Sequence, residues 1–161
     1  MRVAKRFRWE GAHRLPWHTG GCQHLHGHSY VLWVEVEGAP DAQGMLIDFK
    51  VIKRLLAPLI DAWDHATLVA ETDQALREAL VQLGTKHHVL PFDTTSENLA
   101  RYAADHLVHE GAAALLEHRV HTLRVRVQET ETCYAVAERR LATGDGATRT
   151  EASLLPAPTA R

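Results

Sequence analysis

Cysteine is scarce in this chain: Cys22 and Cys133 are the only two among 161 residues. Two thiols cannot build a disulfide framework, so a stapled secreted scaffold is excluded and the cytosol is the expected compartment. Long apolar runs are missing too. No stretch approaches the roughly 18 residues of a membrane span, and the basic start MRVAKRFRWEGAH lacks the apolar segment of a secretory signal. Neither sign of charge dominates: 18 basic against 20 acidic residues leave a formal charge of −2, with a pI near 6.6. That balance argues against gripping a nucleic-acid backbone. There is no glycine-rich dinucleotide fingerprint and no repeat at a solenoid period. The length fits one domain, able to bury about two-thirds of its unfolded surface without a staple. What the chain does have is histidine, twelve of them.

The hydrophobic pattern divides the chain into elements. From Val3 to His13 the odd positions carry Val3, Phe7, Trp9 and His13, while Arg6, Arg8 and Glu10 occupy even ones. This period of two predicts a strand with one buried face. Alternation returns from His24 to Glu37, with His26, His28, Tyr30, Leu32, Val34 and Val36 together. Met45 to Ile47 reads as a short extended piece, and Asp48 as the N-cap of a helix carrying Ile52, Leu55, Leu56 and Leu59, loosened by Pro58. A second amphipathic stretch runs from Thr72 to Leu83 and stops at Gly84, followed by a strand-like His87 to Phe92. Thr94 and Glu97 fit a capping box that opens a third helix, ending about Gly111. Val120 to Thr130 and Cys133 to Arg139 read as a closing hairpin. The expected class is α+β: two hairpins in an antiparallel four-stranded sheet with helices packed on one face. Residues 1–141 form the domain, and 142–161, without periodicity, form a disordered tail.

The histidines are placed for metal chemistry. His26 and His28 leave the same face of one strand, and His13 lies on the buried parity of the strand before it. Three imidazoles leave one position of a tetrahedral zinc open, which is the catalytic pattern rather than the closed structural one. Cys22, four residues before His26, is open to three readings: a fourth ligand, an inert thiol, or a reactive thiolate acidified by nearby cations. Asp64-His65 works as a pair only if the helix has ended there, because adjacent helical residues do not face each other; otherwise it is a solvated helix end. Glu129 sits on the apolar parity of its strand and needs a partner. That partner is internal, or it is the guanidine-like edge of a ligand held by two charge-assisted hydrogen bonds. Glu131 shares the face, so the register is ambiguous by two residues.

Together these segments resemble the 6-pyruvoyl-tetrahydropterin synthase / 6-carboxy-tetrahydropterin synthase family. The likeness rests on Trp9 to Pro16, on Cys22-Gln23-His24-Leu25-His26-Gly27-His28-Ser29-Tyr30, on Asp48-Phe49, on Asp64-His65, on Thr95-Ser96-Glu97-Asn98 and on Glu129-Thr130. The three-residue gap between Cys22 and His26 resembles the bacterial carboxy-forming branch, which supplies queuosine and other 7-deazapurines. The resemblance implies a tunnelling fold assembled as a hexamer of two stacked trimers, with sites at the interfaces. It implies a catalytic zinc on His13, His26 and His28, Cys22 as general base supported by Asp64 and His65, and Glu129 as the anchor of the pterin ring. The implied substrate is 7,8-dihydroneopterin triphosphate, and the carboxy branch releases triphosphate and acetaldehyde to give 6-carboxy-5,6,7,8-tetrahydropterin.

The chain departs from the family pattern at Gly11, Trp63, Thr94 and Gln128, and residues 69–93 form a longer insertion than compact members carry. Two alternatives stand beside this reading. One is the pyruvoyl-forming activity from the same site; the other is a non-catalytic module in which Cys22 joins the three histidines and closes the metal shell. Arg14, His18 and His24 are candidates for holding the triphosphate.

Overall fold

The computed structural model describes residues 1–141; the expected tail lies outside the described residues. Its centre is a long antiparallel pair, β1 (Arg2–His13) and β2 (His26–Gly38), in register from Arg2 opposite Glu37 to His13 opposite His26. Alternation works as the pattern predicts. Trp9 and His13 of β1 and Tyr30, Leu32, Val34 and Val36 of β2 are buried on one face, while Arg2, Arg6 and Arg8 are exposed on the other.

The sheet is larger than expected and is mixed. β5 (Val120–Gln128) pairs antiparallel with β2, and β6 (Tyr134–Arg140) with β5. On the other side of β1, β3 (Ala66–Ala70) runs parallel to it, and β4 (His87–Leu90) parallel to β3. Among the described residues the order is β4-β3-β1-β2-β5-β6, six strands rather than four. The expectation of a purely antiparallel sheet fails at β3. All five residues of ATLVA are buried, so no polar face marks the segment as a strand. Leu68 joins the main core, whereas Val69, pointing the other way, clusters with Leu76 and Leu80.

Of the three α-helices among the described residues, two cover the main apolar face. The third packs through Leu76 and Leu80 on Val69, on the other side of the sheet, so the helices do not all lie on one face as expected. α1 (Phe49–Trp63) starts where Asp48 accepts from the Lys50 N–H, and buries Ile52, Leu56, Leu59 and Trp63 at helical spacing. Pro58 does not end it. The His106 Nε2–H donates to the Leu55 carbonyl at 3.1 Å, next to the ladder position that Pro58 leaves without a donor. α2 (Gln74–Leu83) is capped by Asp73 and closed by Gly84 in the left-handed conformation, φ 61°. α3 (Ser96–Glu117) is capped by Thr95, one residue later than the capping-box reading. It also runs past Gly111, whose role is close approach: a Cβ there would lie 2.6 Å from Leu55 Cδ1 of α1. Met45 to Ile47 forms no strand; Leu46 and Ile47 are buried against the core instead. At the centre Trp9 stacks on Tyr30, ring centroids 4.6 Å apart and planes 5° from parallel, with Trp63 tilted against Trp9.

Candidate metal and pterin site

His13 ends β1 and His26 opens β2 directly opposite it; His28, opposite Gly11, follows on the same face. Register and pleat therefore bring three imidazoles together, with ring centroids 4.7, 4.8 and 5.2 Å apart. Their ligand nitrogens all lie within 4.8 Å of one another.

Hydrogen bonds select the tautomers. The Nδ1–H of His13 donates to the Thr94 carbonyl at 2.8 Å, and that of His26 to the His24 carbonyl at 2.8 Å. Nε2 of each is thereby left as a lone pair. Nε2 of His13 and of His28 are buried and have no hydrogen-bond partner among the described residues. Burial, with repulsion from His26 and His28, lowers the His13 pKa to about 4 despite the Thr94 bond. Burial and His26 lower that of His28 as well. Burial thus favours the uncharged form of His13 and His28, whose Nε2 atoms are turned inward, which is the donor chemistry a divalent cation requires. Among the described residues the three histidines form a group that could hold a metal ion, and Cys22 is not part of it.

A carboxylate borders the triad. Glu129 Oε1 lies 3.9 Å from His13 Nε2 and is buried with no hydrogen-bond donor among the described residues. Burial and the negative charge of Glu97 push its carboxyl above the usual range, with His26 opposing. Glu131 is exposed, which removes the two-residue ambiguity in register. The Tyr30 hydroxyl is also buried with no partner among the described residues. Burial, and then the charges of Glu129 and Cys22, push its phenol up.

The triad's fold context has close relatives. The 6-carboxy-5,6,7,8-tetrahydropterin synthase of Haemophilus influenzae is 33% identical over 142 residues, spanning 83% of this chain and 96% of the relative. The protein of that name from Aquifex aeolicus is 31% identical over 153 residues, 83% of this chain and 94% of its own. A profile of the 6-pyruvoyl tetrahydropterin synthase family matches residues 2–140. The chain belongs to the 6-pyruvoyl tetrahydropterin synthase family. Solved structures agree on the fold. The Plasmodium falciparum 6-pyruvoyl tetrahydropterin synthase matches with a TM-score of 0.70 at 19% identity, covering 87% of this chain and 98% of that one. The Caenorhabditis elegans 6-pyruvoyl tetrahydropterin synthase gives 0.60 at 21%, covering 87% and 94%. The architecture is the tunnelling fold.

Not every residue that the family resemblance singles out is gathered in one place. Cys22 sits on a single 3-10 turn, Gly21–Gln23, whose Cys22 carbonyl accepts from the Leu15 N–H. It is half-buried and lies in the loop that joins the two histidine-bearing strands. Asp64 and His65 do form a pair, Nδ1 to Oδ2 at 2.9 Å, because α1 ends at Trp63 and His65 takes a left-handed φ of 55°. Their remaining hydrogen bonds go to Glu10, Lys86 and the Ile60 carbonyl; none reaches the triad. Arg14 is not a free cation for phosphate. Its Nε and Nη2 donate to the two oxygens of the buried Asp73, each at 2.6 Å. His18 Nδ1 accepts from the Gly20 N–H. Two contributors went unassigned from the pattern: Thr94, which orients His13, and Glu97, whose charge reaches Glu129. Thr94 stands 81 positions from His13, and only pairing across the fold discloses the contact.

Proposed function

We propose that the protein is a zinc-dependent lyase that converts 7,8-dihydroneopterin triphosphate and one water to 6-carboxy-5,6,7,8-tetrahydropterin, triphosphate and acetaldehyde. The observation that carries this reading is the three converging histidines, with Nε2 of His13 and of His28 buried and unpartnered among the described residues, beside the carboxylate of Glu129. The names of the Haemophilus influenzae and Aquifex aeolicus relatives favour the carboxy product over the 6-pyruvoyl one. Such a product would feed queuosine or another 7-deazapurine in the cytoplasm.

In this reading His13, His26 and His28 hold the zinc, which when bound supplies Lewis-acid polarisation of a substrate oxygen. Glu129 receives two N–H groups of the pterin edge, a bidentate pairing that a neutral amide cannot accept. It also gives the buried carboxylate oxygen the donor it lacks among the described residues. Cys22 as thiolate removes a substrate proton, and His65 returns protons while Asp64 holds its Nδ1–H. The dyad's side chains are 42% and 76% exposed, and their bonds do not reach the triad. A complete site therefore draws the dyad from a neighbouring copy, in keeping with a hexamer built on the open edges at β4 and β6.

Two measurements test the metal reading. Zinc titration should give one ion per chain, and His28→Ala should lose it while staying folded on its own core. X-ray absorption of the loaded protein should show nitrogen and oxygen neighbours without sulfur. A sulfur in that shell would instead support the closed module with Cys22 as ligand, and unfolding on zinc removal would indicate a structural metal.

A further inference from the structure

The segment β3-α2-β4 lengthens the chain between the dyad and α3, and one of its side chains is engaged where the dyad is formed. Helix α1 ends at Trp63 with carbonyls that no intrahelical donor can reach. Many helices close here on a glycine in the left-handed conformation. His65 occupies that position instead, at φ 55°, and a side chain bearing a Cβ stays there only when its surroundings hold it. From the β1 side Glu10 grips the corner twice. Its N–H donates to Asp64 Oδ1 at 3.0 Å, and its carbonyl accepts from the His65 N–H at 2.7 Å. From the opposite side Lys86, just before β4, places Nζ 2.7 Å from the Asp61 carbonyl and 2.6 Å from the Asp64 carbonyl. The lysine is itself anchored, since its own carbonyl accepts from the Thr67 N–H at 3.1 Å. Its charge also lies at the negative end of α1, where a cation is favoured.

We propose that Lys86 is a positioning residue for the Asp64–His65 dyad: by bridging two carbonyls of the α1 terminus it fixes the peptide plane from which the imidazole projects. The proposal rests on the reading of His65 as a proton carrier. Asp64 then has both oxygens committed, Oδ1 to the Glu10 N–H and Oδ2 to His65, so the ring keeps one tautomer with Nδ1–H inside and Nε2 free. The same segment is tied to the metal side of the fold through Asp73, which holds Arg14 next to His13 and caps α2.

The test compares wild type, Lys86→Met, Lys86→Gln and Lys86→Arg in the full zinc-loaded chain. The readouts are turnover, KM, zinc content, circular dichroism and the nitrogen-15 spectrum of the His65 ring. In Lys86→Met the turnover should fall roughly 10-fold or more, since small misplacements of a reacting group are costly. KM, zinc content and dichroism should hold, and the His65 ring should show mixed tautomers. Arginine, which can still donate to both carbonyls, should restore the single tautomer and most of the turnover. If the methionine variant fails to fold, glutamine, with its donor kept and its charge lost, is the variant judged. An unchanged His65 ring spectrum in the folded variant would overturn the proposal, and so would loss of zinc and turnover together without rescue by arginine. If wild type does not turn over the pterin triphosphate, the proposed function fails, while the ring spectrum, which needs no substrate, still decides the role of Lys86.

Discussion

The buried His13 makes the metal-free protein sensitive to mild acid in a way that can be worked from its surroundings. An unfolded chain protonates this imidazole below its ordinary 6.5, whereas the folded chain refuses the proton until about pH 4. Between those values the unfolded state holds the extra proton, so stability must fall as pH falls through that window and rise as pH rises. A full proton of difference corresponds to about 1.4 kcal/mol per pH unit, and the whole window to about 3 kcal/mol. His28, also lowered, adds with the same sign. Glu129, raised by burial and Glu97, works the other way, taking its proton first in the folded state and offsetting part of the loss. Asp64 and Asp73 are held low and release their share only below their ordinary 3.8. The perturbation that isolates His13 is His13→Asn, whose amide can still donate to Thr94 but cannot titrate. Urea unfolding in chelator at several pH values from 7.5 to 4.5 should give wild type the steeper loss, by up to one proton. Parallel curves for the two proteins would refute the assignment of this buried titration to His13.

Other consequences are more local. Glu129→Gln should weaken pterin binding by about 1.5–3 kcal/mol, the worth of hydrogen bonds to a charged group, with zinc content unchanged; Glu131→Gln, at an exposed position, should not. Calorimetric titration with a pterin measures both. Cys22→Ser should keep stoichiometric zinc and the oligomer while steady-state turnover falls by roughly 10² or more, because serine supplies no useful anion near neutrality. Gly111→Ala should destabilise by about 1–3 kcal/mol in thermal or urea unfolding, since its Cβ would press to 2.6 Å from Leu55 Cδ1 between α1 and α3.

Much of this arrangement could be read before the fold was known, and the reasons are physical. β1 and β2 each bury one face, so alternation set His13, His26 and His28 on the same side, and antiparallel register made them neighbours. β3 has no polar face, and its parallel pairing to β1 involves contacts far apart in sequence, so the mixed character of the sheet was hidden. Thr94 and Thr95 are adjacent and chemically alike; which one caps α3 depends on Thr94 being turned inward toward His13. Arg14 looked free for phosphate because its partner Asp73 lies 59 positions away. The pairing of Asp64 with His65 required the helix to end at Trp63, and what holds that end, Lys86 and Glu10, arrives from two other strands or their edges.

The most direct test of the function is a product analysis. Zinc-loaded protein is incubated with 7,8-dihydroneopterin triphosphate, and the pterin, the phosphate product and any aldehyde are identified by mass spectrometry. The account predicts 6-carboxy-5,6,7,8-tetrahydropterin together with equimolar triphosphate and acetaldehyde, all absent in His28→Ala and formed roughly 10²-fold or more slowly in Cys22→Ser. The 6-pyruvoyl compound without acetaldehyde would assign the chain to the other branch, and an unconsumed substrate with zinc fully bound would contradict the account.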